Sequence, residues 1–224
     1  MRRPRTLSAA DLAADRAKAL SLTPVSRETE DRLDRFVALL LEWQPTTNLV
    51  APSTVRELWT RHVADSLQLL ALAPQALRWA DLGSGGGFPG LAIACALADK
   101  PGAAVHLVES VGKKAAFLRE AARVTAAPAI VHHQRIEDFV AAAPMDIEIV
   151  TARALASLGQ VLTYVEPLIK RGAQALLLKG QDVDAELTQA AKSWTMAASS
   201  VSSKTNPNGR ILVVRQLQKR PRLE

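Results

Sequence analysis

The chain has 224 residues, 48% hydrophobic and 22% charged, with 28 Lys and Arg against 22 Asp and Glu. That length suits one globular domain with an appendage, and a single cysteine, Cys95, excludes a disulfide framework. The formal charge of +6 and a pI near 9.8 favour a polyanionic partner, and no apolar stretch approaches the roughly twenty residues that a bilayer span needs.

Residues 1–25 read as a basic tail, frayed or helical, with Arg2, Arg3 and Arg5 near its start. Asp11 and Asp15 argue against a transit peptide, and the N-terminus lacks the apolar core of a signal peptide, so the expected location is cytoplasmic. Basic residues recur at the other end as Arg215, Lys219, Arg220 and Arg222. Residues 26–76 read as a helical cap. Ser26 caps an amphipathic helix over 27–43, with Leu33, Phe36, Val37, Leu40 and Trp43 at helical spacing and Pro45 ending it. Thr54-Val-Arg-Glu57 has the form of a capping box and opens a second helix that runs to about Ala73. On that helix Arg61 and Asp65, and His62 and Ser66, stand four residues apart and read as adjacent pairs.

Residues 77–224 form the second domain, which opens on an apolar run and then Asp81-Leu82-Gly83-Ser84-Gly85-Gly86-Gly87-Phe88-Pro89-Gly90. Five of the chain's eleven glycines fall in these ten residues. A glycine-rich strand-to-helix turn lets a ligand approach main-chain amides closely and indicates a nucleotide-type cofactor. Gly85-x-Gly87-x-x-Gly90 matches the dinucleotide pattern, and Asp81-x-Gly83-x-Gly85-x-Gly87 matches that of S-adenosylmethionine sites. Asp81 beneath the loop suits a cationic amine and sulfonium and repels a pyrophosphate. Glu109, at the end of the next strand, is placed for ribose hydroxyls under either pattern.

From Arg78 onward short apolar runs alternate with helical stretches. Strands are predicted at 78–82, 104–109, 129–132, 146–151, 173–179, 194–202 and 209–216, with helices near 89–99, 111–125, 157–170 and 183–192. The alternation implies an α/β, Rossmann-like sheet of seven mostly parallel strands, and the last two runs read as an antiparallel hairpin. Cys95 should pack in the helix after the glycine loop. His62, His106, His132 and His133 form no metal-ligand spacing with it, so no metal is expected.

Several blocks recur in a fixed order: Asn48-Leu49, Arg61-His62-Val-Ala-Asp65-Ser66, the loop from Asp81 to Gly90, Val108-Glu109-Ser110 with Lys113-Lys114 and Phe117-Leu118, Ile136-Glu137, Arg153-Ala154 with Ser157-Leu158, and Lys179-Gly180. Through them the chain, from Trp43 to Gly180, resembles the bacterial small-subunit ribosomal RNA guanine-N7 methyltransferases of the RsmG (GidB) type. Gln44 and Val50 depart from it, where the family often has Asn and Thr.

The resemblance implies a class I methyltransferase whose Gly83, Phe88, Ile136, Glu137 and Arg153 bind S-adenosylmethionine, joined by Asp81, Ser84, Gly85, Gly87 and Glu109 from the reading of the loop. Ile136 and Glu137 would flank the adenine and Arg153 would close the site, facing either cofactor or RNA. Arg61, His62, Lys113, Lys114 and Lys179 are the candidate RNA contacts. The implied partner is 16S ribosomal RNA or the small ribosomal subunit, met by a monomer with no membrane or metal involved. Methylation at N7 needs no general base, and Thr151-Ala-Arg153-Ala stands where amino methyltransferases carry an Asn/Asp-Pro-Pro-aromatic motif. A same-fold methyltransferase with another acceptor, a non-catalytic RNA-binding assembly factor and an NAD-dependent oxidoreductase remain the alternatives.

Overall fold

The computed structural model describes residues 8–221; Arg2, Arg3, Arg5 and Arg222 lie outside the described residues. The segment read as a tail contains helix α1 (Ala9–Leu22), opened by a capping box in which Ser8 and Asp11 bond reciprocally. Asp15 fixes α1 to the cap by accepting the backbone N–H groups of Trp59 and Thr60 and the Thr60 hydroxyl.

Helix α2 (Arg27–Thr47) is capped by Ser26 as expected, but it continues through Pro45 to end at Asn48, which adopts the left-handed conformation. Pro45 therefore does not end the helix. Gln44 takes over the exit of the chain: its amide donates to the Val50 carbonyl at 2.7 Å and accepts from the Leu49 and Val50 N–H groups at 3.0 Å.

The second cap helix is not a regular α-helix. It is a 3-10 turn (Pro52–Glu57), a π turn (Trp59–Ala64), a single α turn, α3 (Asp65–Leu67), and another 3-10 turn (Gln68–Leu72). The capping box is absent, since Ala51 is the cap residue and the Thr54 hydroxyl donates to its carbonyl. The π turn bonds i to i+5, so the expected i,i+4 side-chain pairs do not form. Ser66 instead donates to the His62 carbonyl, and the ion-pair partner of Asp65 is Arg153.

The sheet contains β1 (Arg78–Leu82), β2 (Ala104–Val108), β3 (Ala129–His132), β4 (Ile149–Arg153), β5 (Gln174–Lys179), β6 (Trp194–Ser202) and β7 (Arg210–Lys219) in the order β3-β2-β1-β4-β5-β7-β6. The first five are mutually parallel, and β7 is antiparallel to β5 and to β6. Between strands run α4 (Gly90–Leu97), α5 (Gly112–Thr125), α6 (Ile136–Ala142), α7 (Leu158–Lys170) and α8 (Val183–Ala190). α6 is too short for periodicity to announce, and Glu137 and Asp138 occupy its acidic first turn.

Alternate residues of each strand enter two cores. Trp79, Val105 and Leu107 join one core with Leu91, Phe117 and the α2 residues Leu33, Phe36 and Leu40; Ala80, Val108 and Val150 join the other with Phe139, Leu162 and Val165. The cap thus shares a core with one helical layer, where Phe36 lies 5.0 Å from Phe88 and 6.3 Å from Phe117 between ring centres. Arg32 on α2 adds a two-bond ion pair to Asp99, just beyond α4. Cys95 is fully buried in α4, where burial pushes its thiol up to about 12.

Candidate functional site

A cavity of about 690 Å³ opens at the carboxyl edge of the parallel strands, where open α/β sheets hold their ligands. One half is main chain. Gly83, Ser84, Gly85 and Phe88 line it with Val108, Glu109 and Ile136. Gly83 has φ +73°, a conformation that requires glycine, and a Cβ there would press on the Leu155 side chain at 2.6 Å. Glu109 is 7% exposed and braces the loop: one carboxylate oxygen accepts the Gly85 N–H at 2.9 Å and the other the Val111 N–H at 2.7 Å.

Asp81 does not line the cavity, contrary to its expected contact with the cofactor's cationic groups. It is 1% exposed beneath the loop, accepting the Gly90 N–H at 3.1 Å and the Thr151 hydroxyl at 2.8 Å. Burial raises its pKa to about 6 against the lowering effect of those bonds. Gly90 completes this arrangement, since a Cβ there would lie 2.4 Å from Leu107 and 2.6 Å from the Asp81 Cβ. The third glycine of the dinucleotide-like pattern therefore serves close packing of α4 on β1.

The other half is built from side chains of the cap, the β4 and β5 ends and the β6–β7 turn. His62 is 7% exposed, and its ring packs on Phe88 at 5.1 Å. Its Nε2 lies 2.8 Å from the Thr54 hydroxyl, and Arg153 Nη2 donates to its Nδ1. Those partners assign the proton to Nε2. Burial, reinforced by Arg153 and Arg61, lowers the imidazole pKa to about 3, so His62 is neutral. Arg153 also donates to the Arg61 carbonyl at 3.0 Å, lies over Phe88 at 5.7 Å and pairs with Asp65 at 3.5 Å. Burial lowers the pKa of this guanidinium, while Asp65 and Asp81 oppose the shift.

Asp65 is a junction that the sequence reading left out of the site. Its Oδ1 accepts from Gln68 and Thr205 at 2.7 Å each and from Ser203 at 3.2 Å. It thereby ties the cap to the β6–β7 turn. Ser203, Thr205, Asn206, Gly209 and Arg210 of that region line the cavity, and none was singled out from sequence. Their position follows from topology: β7 is antiparallel to β5, and Arg210 pairs with Lys179, so the turn before β7 returns to the carboxyl edge.

Of the other expected site residues, Arg61 and Lys114 line the cavity, and Lys179 forms part of its wall. Lys179 is not the exposed cation expected for a phosphate. Its side chain is 10% exposed and its ammonium pairs with Glu186 at 2.6 Å, which neutralises it. Gly87 faces inward, where a Cβ would lie 2.9 Å from Phe36. Glu137 and Lys113 are exposed on the outer faces of α6 and α5, and neither lines the cavity.

A family model described as rRNA small subunit methyltransferase G (GidB) matches residues 29–213. The chain belongs to this family. A Bradyrhizobium protein (strain BTAi1 / ATCC BAA-1182) named ribosomal RNA small subunit methyltransferase G is 64% identical over 203 residues, 91% of each chain. A Nitrobacter hamburgensis protein of the same name is 58% identical over 222 residues, covering 99% of this chain and 85% of its own.

Among solved structures, the O-methyltransferase from Bacillus cereus in complex with SAH aligns over 92% of this chain and 98% of its own, at 16% identity and a TM-score of 0.58. Cofactor-bound Rv0187 from MTB aligns over 96% and 100%, at 17% identity and the same TM-score. At such identities the likeness is one of fold. It establishes the Rossmann-like methyltransferase sheet expected from the strand pattern. The family match agrees with the resemblance carried by the Arg-His-x-x-Asp-Ser and Phe-Pro-Gly blocks.

Proposed function

We propose that the protein transfers a methyl group from S-adenosylmethionine to N7 of a guanine in the 530 loop of 16S ribosomal RNA. The observation that carries this reading is the division of the cavity into a main-chain cradle beside Glu109 and a facing wall of fixed side chains. Its residues fit a nucleoside sulfonium. A carboxylate has about four lone-pair sites, so Glu109 keeps acceptor capacity for ribose hydroxyls after taking two N–H groups. Ile136 offers an apolar surface for adenine at the same edge. The Asp81 carboxylate beneath the loop favours a cationic ligand over a pyrophosphate.

When bound, S-adenosylmethionine supplies a methyl carbon activated by the neighbouring sulfonium. Held beside it, the guanine N7 lone pair would form the new N–CH3 bond as the S–CH3 bonding pair returned to sulfur. Positive charge passes to the base, and no proton leaves, because N7 carries none.

The side chains of the wall match that requirement. His62 has both ring nitrogens engaged and is neutral, so its part is to hold Arg153 and Phe88 in place. Catalysis then rests on alignment and exclusion of water. Arg61 and Lys114 are placed for RNA phosphates. A loop guanine is accessible in a way that paired A-form RNA is not, and it enters turned out of its stack. The protein acts in the cytoplasm, as a monomer, on ribosomal RNA or the assembled subunit.

Tritiated cofactor tests this directly. Label should pass into 16S RNA, or into small subunits lacking the modification, and Gly83→Asp should abolish it. Comparing naked RNA with subunits side by side identifies the substrate. Binding of NADH without binding of S-adenosylmethionine would overturn the reading, and cofactor binding with no label on any RNA would favour a non-catalytic assembly factor.

A further inference from the structure

Among the described residues three carboxylates line the cavity: Asp65, Glu109 and Glu186. Asp65 is saturated by Gln68, Ser203, Thr205 and Arg153, and Glu109 is committed to the glycine loop. Glu186 differs. Its Oε2 accepts the Leu158 N–H and the Lys179 ammonium, each at 2.6 Å, and no described residue donates to its Oε1. Lys179 gives a second, longer bond to the Ala156 carbonyl at 3.4 Å. An ammonium has three protons, so one donor remains. Lys179 and Glu186 therefore present a donor and an acceptor side by side on the cavity wall.

The sheet sets where this couple stands. β5 lies two strands from β1 in the order β1-β4-β5, roughly 10 Å away at the usual spacing between strands. Lys179 ends β5 at the same edge at which the glycine loop leaves β1. A flat base set between the two would meet the cradle on one side and the couple on the other.

We infer that Lys179 and Glu186 read the acceptor base, Lys179 donating to guanine O6 and Glu186 Oε1 accepting from N1–H, and so select guanine over adenine. The assignment rests on the methyl-transfer reading above. Guanine carries O6 next to N7 and a protonated N1 next to O6, which matches a donor followed by an acceptor. Adenine carries the reverse, a 6-amino donor and a bare N1. It would set N–H against ammonium and a lone pair against carboxylate. Turning adenine over restores the pairing but carries N7 to the other side of the base, away from the cradle. The couple thus fixes base identity and the direction of N7 with the same two contacts. Glu186 acts here on the substrate, and its bond to Leu158 N–H anchors it to the start of α7.

The test compares methyl transfer to small-subunit RNA carrying either guanine or 2-aminopurine at the target position, under single-turnover conditions with the full chain. 2-Aminopurine keeps N7 and the 2-amino group but lacks O6 and the N1 proton. Wild-type protein should prefer guanine by about 100-fold, the upper range for two paired base contacts. In Glu186→Leu the preference should shrink to about 10-fold, the part left to the Lys179 contact with O6, because guanine transfer falls while 2-aminopurine transfer does not, with little change in calorimetric affinity for S-adenosylmethionine. Glu186→Gln, which preserves shape and the Leu158 contact, provides the reading should the leucine variant fail to fold, and its preference should fall about 10-fold. Guanine methylation with an unchanged preference in these variants overturns this inference alone. Absence of N7 methylation of the guanine RNA by wild-type protein overturns the function on which it rests.

Discussion

The two halves of the cavity achieve rigidity by different means. The glycine-loop half is shaped by main chain, with Asp81 and Glu109 each accepting backbone N–H groups and with glycines where a Cβ would collide. The facing half is shaped by side chains from distant segments, in which Asp65, Arg153 and His62 link the cap, the β4 end and the β6–β7 turn. A main-chain cradle recognises what all substrates of a fold share, here a cofactor. A side-chain network is where one member of the fold sets its own acceptor.

The contrast can be broken from either side. Gly90→Ala should have the largest effect, costing about 3 kcal/mol of stability through overpacking against Leu107 and Asp81, as a lower urea midpoint. Asp65→Ala should leave cofactor affinity within about 3-fold and slow methyl transfer about 50-fold, since it removes the acidic partner of Arg153 and the acceptor shared by the Ser203 and Thr205 hydroxyls. Equal losses of binding and transfer would mean that the two halves are not separable.

Acid and base should also tell the halves apart. His62 has a folded pKa lowered from 6.5 to about 3, so its contribution to stability is complete above pH 6.5 and is lost as pH falls toward 3. Asp81 has a folded pKa raised from 3.8 to about 6, so its contribution is complete below pH 3.8 and is lost as pH rises through 6. Melting temperature against pH should accordingly lose part of its acid-side fall in His62→Gln and part of its fall toward neutrality in Asp81→Asn. The smallest effect expected is that of Asp15→Ala, about 1 kcal/mol from the loss of a cap-like acceptor at Trp59 and Thr60.

How much of this was legible in sequence follows the same division. The strands at 78–82, 129–132 and 194–202 match the structure residue for residue. β1 is a buried central strand with a dense apolar signal, whereas β3 and β6 are more exposed edge strands bounded by turn residues, Pro128 before β3 and residues 204–209 after β6. The glycine loop was visible for a similar reason: its chemistry is local, carried by residues adjacent in the chain. Asp81 stands beneath the loop, as its spacing from Gly83 indicates, but its carboxylate turns to the Gly90 N–H and the Thr151 hydroxyl, since spacing reveals that a carboxylate lies under a loop and not which way it turns.

The side-chain half was largely hidden. Asp65 meets Arg153 across 88 positions and Thr205 across 140, and no local pattern announces such partners. The π turn defeated the i,i+4 reasoning applied to Arg61 and His62. Lys179 looked like a free cation because Glu186 lies on a different element. Gln44 stood out as a departure from the family pattern, and its hydrogen bonds to Leu49 and Val50 explain how the turn from α2 into these cavity-lining residues is closed with that residue.

The central claim, that the cavity holds a methyl donor against the N7 edge of one guanine, is tested most directly by locating the methyl group. Small-subunit RNA treated with the protein and S-adenosylmethionine, then reduced with borohydride and cleaved with aniline, breaks only at N7-methylguanine. The account predicts one new break, at a guanine in the 530 loop, absent when Gly83→Asp replaces the wild-type protein. Methyl incorporation without aniline-labile cleavage would place the group on another atom and contradict it.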